Sequence, residues 1–321
     1  MSSRPRRWFL GCVLVFAAAL LSIFAAELAW RAVRHAGWAG SSPPLVEFDP
    51  ELGWRNRRSV RLRHRQPDFD VVVELDAAGH RITRGGSADP PVVFVGDSIA
   101  FGWGVEARDT FVARVGRALG RRTVNLGVPG YGTDQSYLAL LRHDRQSRLR
   151  SATVIYVLTA NDVLEVMQGR MYGRPKPRFH LDGTIDALPS SGPPLGWIER
   201  RSYLLASIRT WMDMRNHAPQ GQSELTEALR LVAFLIERMK QRCEAMGADF
   251  VLVVPKHGFL GGQTPTGVRE VDLGPAIARA KRAGQSIVFK KDPHLNAVGH
   301  ALVANEILAR LAASKAPSRG D

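Results

Sequence analysis

The sequence predicts an α/β fold whose parallel sheet is covered by helices on both faces. Three observations carry this. Short apolar, β-prone runs stop at turn residues: Val92 to Val95 at Gly96, Thr123 to Leu126 at Gly127, Val154 to Leu158 at Thr159, and Phe250 to Val254 at Pro255. Segments of helical period lie between those runs, and strand–helix alternation is the pattern of a sheet buried on both sides. The 321 residues, 45% of them hydrophobic, suffice for one sizeable domain with appendages.

In chain order, Trp8 to Ala26 is almost wholly apolar and long enough to span a bilayer. Arg4, Arg6 and Arg7 precede it, which puts the N-terminus in the cytoplasm, although Arg31 and Arg34 follow it. A cleaved signal peptide is the rival reading, but no small-x-small site closes the run. An uncleaved anchor is the expectation. Gly40-Ser41-Ser42-Pro43-Pro44 is linker chemistry, and alternation from Asp70 through Leu75 marks a short β extension. Thr110 to Leu119 reads as helix closed by Gly120, and Thr133 as the N-cap of a helix running to about Arg150. From Arg170 to Pro194 scattered Pro and Gly leave no period, which marks an insertion. Ser202 to Met214 regains helical character. Leu225, Leu229, Val232, Ile236, Met239 and Cys243 then recur at helical spacing before Gly247. Ile287 to Phe289 is read as the fifth strand and Ala297 to about Ala313 as the last helix, with Asn296 as its cap.

Gly96-Asp97-Ser98 places a serine at the carboxyl end of the first core strand, where open α/β sheets keep their sites. Alone, the triplet is also ordinary turn chemistry. A nucleophilic serine needs a base and an orienting carboxylate. Asp292-Pro293-His294 supplies both, because Pro293 favours an extended Asp292 and alternate side chains then share a face. Donors for an oxyanion are offered by the Gly127 amide and the Asn161 side chain, each after a strand. His300 is a weaker base candidate, lacking an Asp two residues before it. His257 and Lys256 read as a solvated loop pair, and Asp97 as a brace for its turn.

Together the blocks Gly96-Asp97-Ser98, Asn125-Leu126-Gly127, Asn161-Asp162, and Asp292 with His294 resemble the SGNH/GDSL hydrolase superfamily, over roughly residues 91 to 315. The resemblance implies Ser98 as nucleophile, His294 as general base and Asp292 as its orienter. It makes the Ser98 amide, the Gly127 amide and the Asn161 side chain the oxyanion hole. It also implies a three-layer α/β/α fold with a five-stranded, flavodoxin-like sheet of strand order 2-1-3-4-5. There are two departures. The Gly of the usual Gly-x-Asn-Asp block is absent before Asn161. The Asp-x-His spacing is shorter than the commoner Asp-x-x-His, and looks like acetyltransferase-type members of bacterial exopolysaccharide systems, such as those acting on alginate.

The formal net charge is +14. It leaves open an anionic glycan or membrane surface as partner, or an Arg-rich solvated surface with none. No helix-turn-helix, zinc or RNA-binding aromatic motif accompanies it, so no nucleic-acid partner is expected. Gly102-Trp103-Gly104 lacks the third Gly and the downstream acid of a dinucleotide site, and neither a phosphate loop nor zinc spacing appears. No cofactor and no metal are expected, and Cys12 and Cys243 form no disulfide framework.

The expected organisation is a basic tail and transmembrane anchor over 1–34, and a linker with a short β extension over 35–90. A hydrolase domain follows over 91–315, with an insertion about 163–200, and a tail over 316–321. The expected function is a serine-dependent acyl-ester hydrolase or acyltransferase acting on O-acetyl groups of envelope or secreted polysaccharide. Its partners would be an acylated glycan or small ester and the membrane. It would be a single-pass protein of the bacterial inner membrane, with the catalytic domain in the periplasm or outside the cell. The alternatives are a GDSL lipase or thioesterase, and a catalytically inactive membrane-anchored binding or assembly protein.

Overall fold

Residues 4–33, 45–145, 148–172, 174–186, 188 and 221–313 are described by the computed structural model, with scattered positions between 202 and 215. The Gly40 to Pro44 linker, most of the helix expected over Ser202 to Met214, the later part of the insertion and the 316–321 tail lie outside the described residues.

A long apolar helix, α1 (Arg4–Val33), comes first. It exposes Trp8, Phe9, Phe16 and Phe24, and its Trp8–Ala32 stretch is long and apolar enough to cross a membrane, a property signal sequences share. Two antiparallel hairpins follow: β1 (Val46–Asp49) with β2 (Gly53–Asn56), and β3 (Val60–Gln66) with β4 (Phe69–Leu75). In β4 the alternation read from the sequence buries Phe69, Val71, Val73 and Leu75.

The remaining elements alternate, in chain order β5 (Ala88–Gly96), α2 (Ser98–Phe101), α3 (Phe111–Leu119), β6 (Arg121–Asn125), α4 (Thr133–Asp144), β7 (Thr153–Val157) and α5 (Ala160–Glu165). A two-residue pair, β8 (Arg170–Met171) with β9 (Arg174–Pro175), precedes α6 (Gln222–Ala245), β10 (Asp249–Val254), β11 (Arg269–Asp272), α7 (Gly274–Arg282) and α8 (Ala297–Ala313). The strands form one parallel sheet in the order β11-β10-β7-β5-β6, with Phe94 paired between Asn125 and Ile155. Counted along the chain this is the expected 2-1-3-4-5 order in a three-layer α/β/α fold.

Alternate residues of β5 serve opposite faces. Val92 and Phe94 pack with Phe111 and Val115 of α3 and with Val303 and Ile307 of α8. Val93 and Val95 pack with Leu138 and Leu140 of α4 and Leu235, Ile236 and Met239 of α6. That two-sided burial is why the strand reads as an unbroken apolar run.

The fifth strand is a correction. It is Arg269–Asp272, not Ile287 to Phe289. At the sheet edge only Val271 of its four residues is buried, so no apolar run announces it. Val288 instead makes a single antiparallel bridge to Leu295, and Phe289 packs against Phe69 at 5.3 Å. Helix α4 also stops at Asp144, short of Arg150. Its N-cap is Gly132, and the buried Thr133 hydroxyl pairs with Tyr156 Oη at 2.9 Å.

The β1–β2 hairpin is fastened to the sheet domain. Leu52 and Trp54 join its main core, and Asp49, 2% exposed, takes a two-pronged ion pair from Arg142 at 2.8 and 2.7 Å. Burial pushes the Asp49 carboxyl up, but the Arg142 guanidinium and the backbone N–H groups of Leu52 and Glu51 outweigh it and hold it at about 2.

Candidate active site

Strand β5 ends at Gly96 with φ +149°. A Cβ there would lie 2.9 Å from the Val157 carbonyl, so both conformation and space require glycine. Next, Asp97 Oδ1 accepts the Ile99 N–H at 2.8 Å and caps α2, which puts Ser98 at the first helical position. Asp97 is therefore the expected brace. Its second oxygen faces the Thr159 hydroxyl at 3.1 Å and Asn161 Nδ2 at 3.4 Å. Burial pushes its carboxyl up, against the pull of those donors.

Ser98, His294 and Asp292 meet. His294 Nε2 lies 2.8 Å from Ser98 Oγ, and His294 Nδ1 lies 2.5 Å from Asp292 Oδ1. A carboxylate only accepts, so Nδ1 carries the hydrogen and Nε2 is left to accept the Ser98 O–H. The same Asp292 oxygen accepts the His294 backbone N–H at 2.9 Å. Burial pushes the Asp292 carboxyl up, but the bonds from His294 and from Trp103 outweigh it and hold it below its ordinary range.

Two supports of this loop were not read from the sequence. Trp103 Nε1–H donates to Asp292 Oδ2 across 3.2 Å, with its ring 5.5 Å from that of His294. Asp68, at the turn of the β3–β4 hairpin, accepts the backbone N–H groups of Lys291 and Asp292 at 2.6 and 2.9 Å through one oxygen. An aromatic between two glycines, five residues after Ser98, is the one signal that marked Trp103. Nothing local marked Asp68, because its partners lie more than 220 residues away.

On the other flank, Asn161 opens α5 beside Ser98's turn. Its Oδ1 accepts from the Thr159 hydroxyl at 2.6 Å, and its Nδ2 lies 3.4 Å from both Asp97 Oδ2 and Glu165 Oε1. Asp162 accepts the Thr159 N–H at 2.6 Å and caps that helix. Glu165 is buried, and its Oε1 accepts the Tyr172 hydroxyl at 2.6 Å. Burial pushes the Glu165 carboxyl up to about 8, although the Tyr172 bond pulls it down.

Gly127 differs from the expectation. Its N–H donates inward to Asn125 Oδ1 at 2.9 Å, and a Cβ there would lie 2.3 Å from the Phe101 nitrogen. It is a packing glycine under α2 with its donor already paired. Three residues on, Gly130 lies against Tyr172, and none of the described hydrogen bonds uses its N–H. The β1–β2 hairpin holds this loop: Trp54 Nε1–H donates to Pro129 O and Asn56 Nδ2–H to Gly127 O, both at 3.0 Å.

The other candidates lie elsewhere. His300 is buried, stacks on Phe111 at 5.2 Å and accepts the Phe111 N–H at 3.3 Å; burial pushes it down to about 3. His257 is exposed and faces Glu270 at 3.0 Å.

A hydroxyl bonded to an imidazole that a carboxylate orients is an arrangement for nucleophilic acyl transfer. The family comparison agrees with that chemistry. The chain matches the GDSL-like Lipase/Acylhydrolase family over residues 94–302. No curated protein matches it. Among solved structures it is similar to a member of the lipolytic G-D-S-L family from Veillonella parvula, at 13% identity and TM-score 0.39, covering 68% of this chain and 96% of that one. An alpha/beta hydrolase from the metagenome of Lake Arreo in Spain shares 17% identity at TM-score 0.42, covering 72% and 97%. An acetylxylan esterase from Geobacillus stearothermophilus shares 16% at TM-score 0.39, covering 72% and 96%. At these identities and TM-scores the assignment rests on the sequence match alone. That match spans about two thirds of the chain and includes Ser98, Asn161, Asp292 and His294, so the chain belongs to the GDSL-like lipase/acylhydrolase family.

Proposed function

We propose that the protein is a serine-dependent acyl-ester hydrolase or acyltransferase that acts on O-acetyl groups of envelope or secreted polysaccharide. The observation that carries the chemistry is the continuous chain from Ser98 Oγ through His294 to Asp292, at 2.8 and 2.5 Å. His294 takes the Ser98 proton as Oγ attacks the ester carbonyl, and Asp292 holds the imidazole in the required tautomer. His294 then protonates the leaving alkoxide, and the acyl group passes from Ser98 to water or to a sugar hydroxyl. In this reading the Ser98 N–H and Asn161 Nδ2 donate to the developing oxyanion, Nδ2 giving up its long 3.4 Å contacts with Asp97 and Glu165 to do so. Gly130, whose N–H no described hydrogen bond uses, takes the part that the resemblance implied for Gly127. A connected triad disfavours the inactive-relic reading, which the absent Gly before Asn161 and the long basic segment motivate.

The acetyl-glycan substrate is supported by the Asp-x-His spacing and the net positive charge, and the organisation into anchor, extension and hydrolase domain by the position of α1. The catalytic domain then lies in the periplasm or outside the cell; a carboxyl-terminal reporter active only in the cytoplasm would reverse this topology.

The test is a chain-length series of aryl esters, with and without a glycan acceptor, on wild type and Ser98→Ala. Loss of a nucleophile of this kind costs on the order of a millionfold in kcat. Wild-type turnover by the folded variant removes Ser98 from the reaction. A preference for acetate, with transfer to sugar, supports the proposal. A preference for long chains, gaining ~0.8 kcal/mol per buried methylene, assigns a lipase instead.

A further inference from the structure

Behind the turn that carries Ser98 lies a cleft of about 560 Å3 that the ester chemistry does not use. It runs between the 76–86 segment and β6, and Arg81, Arg84, Arg122, Arg148 and His143 line it. Asp76 is the one acid among the described lining residues.

A buried cation, Arg81, lines its inner wall, within the electrostatic reach of Glu106. Arg81 is 2% exposed, and its guanidinium donates to three backbone carbonyls, those of Phe101, Gly102 and Val105. Among the described residues no carboxylate forms an ion pair with it, and its Nε is buried without a partner. His143, 8% exposed, also lines the cleft with Nδ1 unpartnered. Burial pushes Arg81 down to about 10, so it stays charged at neutral pH. Burial pushes His143 down to about 3, helped by His80 and then by Arg148 and Arg122, against the pull of Asp76, so it is neutral at pH 7. Glu74 and Asp89, which pair with Arg84 and Arg122, stand outside the cleft, and exposed pairs of this kind are weak.

A recess lined by four arginines and one acid, with low-dielectric walls, concentrates a positive field inside it. Guanidinium forks suit planar or tetrahedral oxyanions. We propose that this cleft binds the anionic group, carboxylate or phosphate, of a small polar ligand. The site is separate from the Ser98 triad. It adjoins the triad only from behind, where Arg81 and Asn125 hold the carbonyls of α2 and the turn after it.

The test is calorimetric titration of the full-length chain in detergent at low ionic strength. The probes are glucuronate, inorganic phosphate, glucose, and chloride at matched ionic strength. Saturable binding of glucuronate or phosphate, but not of glucose or chloride, is expected. The double variant Arg84→Gln, Arg122→Gln should weaken it about tenfold while leaving aryl-acetate turnover unchanged. Tighter glucuronate binding assigns an acidic sugar, and tighter phosphate binding assigns a phosphate; either supports an anion site. Saturable binding of neither, or binding that the double variant does not weaken, overturns the proposal.

Discussion

Asp68→Ala tests whether the β3–β4 hairpin works in catalysis or merely packs beside it. The Asp68 carboxylate accepts two N–H groups from the loop that carries Asp292. Hydrogen bonds to a charged group contribute about 1.5–3 kcal/mol each when buried. Here the Lys291 N–H is exposed and Asp292 half-buried, so water recovers much of the loss. A combined cost of about 1–2 kcal/mol remains. If the loop's placement is what is lost, kcat falls about 5–30-fold at that cost. KM should change little, because Asp68 bonds the backbone of the loop and neither Ser98 nor His294.

The assay is initial-rate turnover of an aryl acetate, with thermal melting as the fold control. Asp68→Asn is the decisive companion, since an amide oxygen still accepts both N–H bonds. It should retain most of the activity that Asp68→Ala loses. An Asp68→Ala enzyme with wild-type kcat, alongside an inactive Ser98→Ala, would show the hairpin to be idle. Equal losses in the Ala and Asn variants, tracking equal losses in melting temperature, would refute the positioning role.

Two further outcomes follow from buried titratable groups. His300→Ala should lower the melting temperature while costing far less kcat than His294→Ala, since His300 packs on Phe111 away from Ser98; the reverse ranking would move the base. Glu165, held at about 8 against an unfolded value near 4.5, keeps a proton that the unfolded chain releases between those values. Its contribution is therefore complete below the unfolded value and fades as pH rises towards 8. Urea unfolding on either side of that window should show wild type losing up to a few kcal/mol more than Glu165→Gln; identical pH slopes would contradict the burial argument.

The parts of this fold legible in the sequence are those whose chemistry is local. The doubly buried strands read as apolar runs because both faces of β5 meet helices. The α8 cap was legible because Asn296 Oδ1 reaches the N–H groups of Val298 and Gly299, two and three residues away. Ser98 was legible because it follows the strand end at Gly96, and Asp292 and His294 because one residue separates them in a stretch that Pro293 holds extended. What escaped was whatever a distant segment decides. Arg269–Asp272 is a strand only because β10 lies beside it. Gly127 carried the pattern of an oxyanion donor, yet α2 packs over it and Asn125 takes its N–H.

The short Asp-x-His spacing ties these points together. With one residue between them, a single oxygen, Asp292 Oδ1, receives both the backbone N–H and the ring Nδ1–H of His294. That fixes the histidine relative to the aspartate but leaves the pair free to swing as a unit. Asp292 Oδ2 and the backbone N–H of Asp292 remain to anchor it. Trp103, which follows α2, takes the first, and Asp68 of the amino-terminal extension takes the second. The β1–β2 hairpin braces the opposite flank through Trp54 and Asn56. The extension before β5 thus supplies restraint to both sides of Ser98. Removing residues 45–75 should therefore cost the site its alignment even where the five-stranded sheet still forms.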